Sequence, residues 1–123
     1  MATLTSVLQL STSGVAKDRV SLTSSKIANV KNPAIQTGTL SISTITTIAT
    51  APAGTGAGNG MYMYIKNNDS TNHLDITFDS NNTLKVGPGE ITFFCVHDSR
   101  AVKGTASTGT VKIEYGYWTL DKY

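Results

Sequence analysis

Alternation of apolar and polar residues with a period of two dominates the second half of the chain. In "MYMYIK", residues 61–66, methionine and isoleucine alternate with tyrosine and lysine. "HLDITFDS", residues 73–80, and "VKIEYGYW", residues 111–118, repeat the pattern. Successive residues of a strand face opposite sides of a sheet, whereas a helix needs a period of 3.6, which no segment sustains. The sequence therefore predicts an all-β protein with little helix.

Short polar segments separate these predicted strands. "NNDSTN", residues 67–72, supplies side chains that turn a chain by bonding their own backbone, and we expect the strands on either side of it to form a hairpin. Asp79 to Asn82 is a second predicted turn. Pro88 has no N–H, so Gly87 to Gly89 is predicted to be a loop and not part of a central strand.

From Ile91 to His97, apolar residues occupy both the odd-numbered and the even-numbered positions. Such a strand suits a sheet covered on both sides, with Phe93 and Cys95 on one face and the next residues on the other. We expect it to be the best-buried strand. Phe78, Leu84, Phe93 and Cys95 are the predicted fillers of the sandwich.

The first half of the chain is less regular. Candidate strands are "LTSVLQL", "RVSLTSS" and "GTLSISTITTIAT", and a β-bulge is predicted near Thr44. A Gly/Ala-rich loop at residues 50–60 exceeds the length of an ordinary hairpin connection. At 123 residues the chain is expected to form one domain, 1–123, an antiparallel β-sandwich of the jelly-roll type.

Charge and hydropathy exclude several classes of partner. Ten basic and eight acidic residues give a net charge of +2, too small and too mixed to predict binding to nucleic acid or to an anionic membrane. No apolar stretch approaches the ~18 residues of a spanning helix, and no charged-then-apolar leader follows Met1. We expect a soluble chain made in the cytoplasm. The single cysteine, Cys95, is interpreted as a small buried thiol.

The two histidines are the candidate catalytic residues of the sequence. His73 and His97 lie near Asp75 and Asp98, yet these pairs are equally expected at strand ends, and no serine elbow, CxxC or paired-histidine spacing is present. The glycines of residues 54–60 do not have dinucleotide or phosphate-loop spacing. The sequence predicts no catalytic, cofactor-binding or metal-ligating residue, and therefore no enzyme and no cofactor.

Three weaker patterns have structural interpretations. Asp79, Asn81, Thr83 and Glu90 match positions of a calcium loop, but Leu84 stands where that loop needs glycine, so a hairpin turn is preferred. The glycosylation patterns at Asn68 and Asn81 are likewise interpreted as turns. Aromatic residues near the C-terminal end are assigned to core or subunit packing ahead of a sugar platform. They are Tyr115, Tyr117, Trp118 and Tyr123.

The second half resembles a segment of small tailed-phage virion proteins. The matching features are Tyr64 to Asn67, the "LKVGPGE" turn from Leu84 to Glu90, and the "GTVKIEY" strand from Gly109 to Tyr115. The resemblance implies a non-enzymatic virion structural protein, a head decoration or cement protein in a jelly-roll fold. A neck or tail component is the alternative within that class, and a carbohydrate-binding module or a small enzyme outside it.

The resemblance also implies partners and a location. The partners would be the major capsid protein or other virion proteins, and the location the virion. A homo-oligomer is expected, with a trimer implied by resemblance to capsid-cementing proteins. Edge strands need protection, and "TLSISTITTIAT", residues 39–50, carries no charge that would protect one. That segment, the 50–60 loop and the N-terminal segment are the predicted contact regions.

Overall fold

A computed structural model describes residues 2–11, 21–52, 60–78, 82–97 and 100–120 of the chain. These residues form strands and connections without a helix, so the all-β prediction is confirmed. In the part of the chain so described, no helix is long and apolar enough to cross a membrane. The strands are β1 (Ala2–Ser11), β2 (Ser21–Ile42), β3 (Thr46–Thr50), β4 (Met61–Asn67), β5 (Leu74–Phe78), β6 (Asn82–Val86), β7 (Ile91–Val96), β8 (Ala101–Ala106) and β9 (Val111–Leu120).

The strands form two antiparallel sheets. Sheet A has the order β1-β2-β9-β4-β7, and sheet B has the order β3-β8-β5-β6. From β2 onward the chain passes to the opposite sheet at each connection except the β5–β6 hairpin. Two four-stranded sheets connected in this way are a jelly roll, to which β1 adds a fifth strand. The prediction of an antiparallel, jelly-roll-like β-sandwich is confirmed.

The core lies between the two sheets and follows the period-two pattern. Burial along β4 alternates between buried and half-buried residues, as the alternation in its sequence predicts. β9 begins in the same way: Val111 and Ile113 are buried, whereas Lys112 and Glu114 are exposed. The fully buried side chains that face one another across the sandwich include Ile42, Met63, Ile65, Ile113, Leu74, Ile76 and Val102.

The predicted hairpin between residues 61–66 and 73–80 is wrong. β4 pairs with β7 and β9 in sheet A, whereas β5 pairs with β6 and β8 in sheet B. The connection crosses the sandwich because Asn67 ties it to both layers. Asn67 is fully buried, and its Nδ2 donates to the carbonyl oxygens of Asn72 at 2.9 Å and Val86 at 3.1 Å. Its Oδ1 accepts from the backbone N–H of Asp69 at 2.9 Å.

The turn between β6 and β7 completes this tie. Gly89 has φ of 75°, which glycine adopts without strain, and its N–H donates to the carbonyl of Asn67. The backbone N–H of Asn67 donates in return to the carbonyl of Glu90, whose carboxylate accepts from the N–H of Gly87 at 2.8 Å. Asn67 and the "LKVGPGE" turn, both part of the resemblance noted in the sequence, therefore hold two connections together at one end of the sandwich.

The prediction that β7 is the best-buried strand is also wrong. β7 is the edge of sheet A, where Ile91 is 66% and Phe93 is 46% exposed and Cys95 is exposed. Only its other face turns inward, where Phe94 meets Phe78 edge-on at 5.1 Å between ring centroids. Leu84, on the edge strand β6, is exposed as well. Of the four predicted sandwich fillers, Phe78 alone packs against the core.

Two predictions about the first half have different outcomes. Thr44 lies in the bend between β2 and β3, and the register shifts occur elsewhere, between Val30 and Ile35 and between Thr47 and Ala49. The bulge predicted near Thr44 is therefore misplaced, since the nearest register shift lies in β3 between Thr47 and Ala49. Residues 53–59 of the Gly/Ala-rich loop lie outside the described residues.

β2 is long because it serves two partners. Its second half, from Ile35 to Ile42, pairs with β9 in the sandwich, while Ser21 to Val30 pairs with β1. Pro33 stands within the irregularity between the two halves, where its missing N–H interrupts the ladder. β1 together with Ser21–Val30 forms a two-stranded ribbon of ten residue pairs that continues beyond the paired part of the sandwich. We call this ribbon the arm.

Candidate functional site

The outer face of sheet A is aromatic. Strand alternation turns Tyr62 and Tyr64 of β4 away from the core, beside Phe93 of the neighbouring β7. Tyr62 and Phe93 stack in parallel, with ring centroids 5.5 Å apart and an interplanar angle of 2°. Trp118 of β9 lies opposite Tyr62 on the other side. Large aromatic rings therefore cover three adjacent strands of a face that the sandwich does not bury.

An open groove runs through this face beside Gly116. Gly116 pairs with Tyr64 on one side and Thr37 on the other, and it has no side chain to fill the space between them. The ring of Trp118 packs over Gly116 so closely that a Cβ at this position would lie only 2.8 Å from the ring. Glu114, which is exposed, also lines the groove. The groove encloses about 460 Å³, which is within the size range of ligand pockets, although it is open to solvent.

The outer face of sheet B has a different character. Asp75 of β5 lies opposite Lys85 of β6 and forms an ion pair with it at 3.7 Å. Lys103 of β8 lies opposite Thr77. Threonine and charged residues therefore cover this face, and it has no counterpart of the aromatic cluster on sheet A among the described residues.

The arm is the second unusual surface. Val7, Leu8, Leu10, Leu22 and Ile27 are each 49% to 69% exposed. Leu10 lies directly opposite Leu22, and Leu8 falls two residues along on the same face of the ribbon, while Val7 and Ile27 belong to the other face. Because a two-stranded ribbon has no third layer, neither face of its outer half is covered.

The base of the arm is anchored to the sandwich. Val30 is buried, pairs with Leu120 of β9, and lies outside the main core cluster. Along β1, burial falls from half-buried at Leu4 and Ser6 to exposed from Val7 onward. The distal arm, Val7–Ser11 with Ser21–Ser25, therefore has little contact with its own sandwich.

Cys95 and His97 lie together on the outer face of β7. Cys95 Sγ is 3.4 Å from His97 Nε2. Partial burial raises the pKa of the Cys95 thiol, and the Met61 backbone and the Lys26 ammonium of the arm oppose that rise without reversing it. A raised pKa keeps the thiol protonated and so weakens it as a nucleophile. The prediction of a buried cysteine is wrong, because β7 is an edge strand and Cys95 faces outward.

The other candidates from the sequence do not converge. His73 precedes β5 in sheet B and its N–H donates to Ser107 Oγ, whereas His97 follows β7 in sheet A. Asp75 is engaged with Lys85. Within the described ranges no group of three or more histidine, cysteine, aspartate or glutamate residues is placed to hold a metal ion. Asp98 lies outside those ranges.

The calcium-loop and glycosylation patterns fall in turns. The β5–β6 pairing confirms the preferred hairpin, and the carboxylate of Glu90 bonds its own turn at Gly87. Asp79 and Asn81 lie outside the described residues. Asn68 is exposed and its Nδ2 donates to Glu114 Oε2 at 3.3 Å.

The C-terminal aromatic cluster is divided between the two faces of β9. Tyr115 and Tyr117 face inward, pack against the core and stack on each other at 6.4 Å between centroids, whereas Trp118 faces outward. The preference for core packing is confirmed for the two tyrosines. Tyr123 lies outside the described residues. Among the described residues, strand alternation places Tyr115 and Tyr117 on the opposite face of β9 from Trp118, so these three do not share one platform.

The arm leucines and Phe93 were not identified as a surface from the sequence. Two features of the sequence point to them. β1 carries no charged residue and no proline, and β7 is equally free of both. An edge strand in a monomer is normally protected by such residues.

Comparison with known proteins gave one structural similarity. No known protein family and no curated protein matches the sequence. A solved structure of a protein assigned to ethanolamine utilization, protein Q of Salmonella typhimurium LT2, aligns over 96% of this chain and 99% of its own. The identity is 11% and the TM-score is 0.47. A likeness at this level assigns no function to this chain.

The predicted function is corrected by this comparison. A phage decoration or cement protein was expected, but no family model or curated protein supports it, and the solved structure that aligns with this chain is named as an ethanolamine utilization protein. The virion function, with its neck or tail alternative, is therefore not carried further. The turn and strand residues behind the resemblance have a structural role of their own in the connections around Asn67.

Proposed function

We propose that the protein is a non-enzymatic structural protein that assembles with further copies of itself through the arm. The observation that carries this proposal is the exposure of five large apolar side chains on a two-stranded ribbon. Single exposed apolar residues are common on protein surfaces, but a contiguous group of them marks an interaction site. Leu8, Leu10 and Leu22 form such a group on one face of the arm, and Val7 and Ile27 add apolar surface on the other.

The energetics of a ribbon favour the same function. An isolated two-stranded hairpin is marginally stable in water, and it gains stability when a third strand or another layer covers it. β1 also presents the free edge of sheet A over ten residues without a charge or a proline. A second copy of the chain would cover the exposed leucines and protect this edge.

The described residues support a structural role over a catalytic one. The Cys95 thiol has a raised pKa, and Asp75 is paired with Lys85. The two histidines belong to connections of different sheets. The trimer was implied only by the resemblance to capsid proteins, so the proposal is a homo-oligomer without a stated number of copies.

Light scattering of the purified protein over a wide concentration range tests the proposal. We expect a mass that is a multiple of the 13.0 kDa chain for the unchanged protein and a reduced mass for Leu10→Asp. Ile45→Asp is the matched control: Ile45 is 61% exposed in the bend between β2 and β3, within the segment 39–50 that the sequence predicted as a contact region, and assembly through the arm leaves it uninvolved. A mass of one chain at all concentrations, or equal effects of the two substitutions, would overturn the proposal.

A further inference from the structure

The groove beside Gly116 has walls from three strands of sheet A. Thr37 of β2 and Tyr64 of β4 pair with Gly116 from its two sides. Trp118 and Glu114 lie two residues away from it in either direction along β9, on the same outer face. The groove of about 460 Å³ therefore surrounds a position at which the sheet has no side chain.

Aromatic rings and a methyl group form the apolar part of these walls. The ring of Trp118 is 2.8 Å from the place that a Cβ of Gly116 would take, and the Cγ2 methyl of Thr37 is 3.4 Å from the same place. Tyr64 is half-buried on the other side of the glycine. The face of an aromatic ring carries negative potential, so these walls attract a cation as well as apolar groups.

Glu114 is the charged residue of the groove lining, and its charge is not compensated by an ion pair. Lys66 and Lys112 are its neighbours on the outer face, but in the described part of the chain neither forms an ion pair with it. The Glu114 carboxylate accepts from Asn68 Nδ2 at 3.3 Å instead. A neutral donor orients the carboxylate without cancelling its charge. Both lysines lie level with Glu114 or beyond it, away from Trp118.

We propose that this groove binds a quaternary ammonium group of the kind that choline carries. The N-methyl groups of such a cation present an apolar surface to the rings of Trp118 and Tyr64 and to the Thr37 methyl. Its positive charge is attracted by the two ring faces and by the Glu114 carboxylate. The proposal does not depend on assembly through the arm, because no arm residue lines the groove.

The sign of the charge and the scarcity of acceptors select this class of ligand. An anion would be repelled by Glu114, and no basic residue lines the groove to hold it. A neutral ligand would take water from the carboxylate without compensating its charge, which costs free energy. A primary ammonium needs acceptors for three N–H groups, whereas a quaternary nitrogen has no N–H and is satisfied by methyl contacts and by charge.

The fluorescence of Trp118 tests the proposal, because it is the single tryptophan of the chain. We expect choline chloride to change the emission in a saturable way, and sodium chloride at equal concentration to give no such change. Because the groove is open to solvent, the Kd should be of the order of millimolar. An absence of saturation by choline up to about 100 mM would overturn the proposal.

An uncharged isostere of choline separates charge from shape. In this compound a tert-butyl group replaces the trimethylammonium group, so it has the same shape without the charge. We expect it to bind at least about fivefold more weakly than choline. Equal binding of the two compounds would contradict a cation site, and so would saturation by a neutral oligosaccharide in place of choline.

Three substitutions test the role of the carboxylate. Glu114→Gln keeps the shape of the side chain and should weaken choline binding about three- to fivefold. Lys66→Met removes a positive charge beside Glu114 and should strengthen binding by about twofold. Asp75→Asn is the matched control, because it removes a carboxylate from the outer face of sheet B and should leave the Kd unchanged. Equal effects of Glu114→Gln and Asp75→Asn would overturn the assignment.

Discussion

Asn67 is the buried polar residue on which the connections between the sheets depend. Its side chain satisfies the carbonyls of Asn72 and Val86 and the N–H of Asp69. Asn67→Ala would leave these groups without a partner, and an unsatisfied buried group costs about 1–3 kcal/mol. We expect a loss of about 2–4 kcal/mol in the free energy of unfolding, measured by chemical denaturation.

The adjacent residue supplies a matched control for this prediction. Asn68 is exposed, and its side chain makes a single bond, to Glu114. Asn68→Ala should change the free energy of unfolding by no more than about 0.5 kcal/mol. Similar losses for the two substitutions would show that the bonds of the Asn67 side chain are not what stabilises the crossing.

Phe93 and Met63 test the assignment of core and surface at neighbouring strands. Met63 is fully buried, so Met63→Ala should cost about 2–5 kcal/mol. Phe93→Ala removes an exposed ring and should cost less than about 1 kcal/mol, whereas the core position predicted from the sequence would make it cost about 3–5 kcal/mol. Both values are measured by denaturation in the Leu10→Asp background, where assembly does not contribute. A loss of about 3 kcal/mol at Phe93 would contradict its edge position.

Among the elements, the strands with one polar and one apolar face were predictable. β4 and β9 carry alternation that the two-layer sandwich requires, and their inward residues are buried as the pattern indicates. The core residues of β5, Leu74 and Ile76, followed from the same rule. Alternation decides the buried face of such a strand because a shift of one residue would expose every apolar side chain.

β7 and the connection after β4 could not be predicted from local patterns. A strand that is apolar on both faces fits a covered sheet and an edge that awaits a partner equally well, and β7 is at the edge. The turn residues from Asn68 to Asn72 show that the chain changes direction. They do not show whether it returns to the same sheet, and the bonds of Asn67 that decide this join residues far apart in sequence.

The arm is the element whose stability should respond most to assembly. Its ten residue pairs form a ribbon that no other layer covers in the single chain. The hydrogen bonds between such strands open at a small cost in free energy. We expect amides of β1 to exchange rapidly with solvent deuterium in dilute protein and more slowly as the concentration rises. Mass spectrometry of peptides from β1 measures this change.

Peptides from β4 provide the internal comparison for the arm. β4 lies between β7 and β9 within the sandwich and should exchange slowly at all concentrations. Leu10→Asp should abolish the concentration dependence in β1 and leave β4 unaffected. Exchange in β1 that is independent of concentration in the unchanged protein would contradict an arm that is covered by another copy.

At the scale of the whole molecule, the two sheets differ in what they leave uncovered. The jelly roll buries one face of each sheet, and the outer face of sheet B carries charged and hydroxyl groups that water solvates. The outer face of sheet A carries aromatic rings together with Lys66, Lys112 and Glu114, and its free edges, β1 and β7, lack charges. Both outer faces therefore carry charged groups, and sheet A differs by its aromatic cluster and its uncharged edges.

Association through the arm makes thermal stability depend on protein concentration, because a partner that binds only the folded chain stabilises it. The entropy of unfolding is about 2.1 cal/mol/K per residue, and a tenfold change in concentration is worth about 1.4 kcal/mol per dimer. For a dimer of this chain that dissociates as it unfolds, the midpoint should rise by about 3 °C for each tenfold increase. Calorimetry measures the slope, which should vanish for Leu10→Asp and persist for Ile45→Asp. A midpoint of the unchanged protein that stays constant over a hundredfold range would mean that folding and assembly are not coupled.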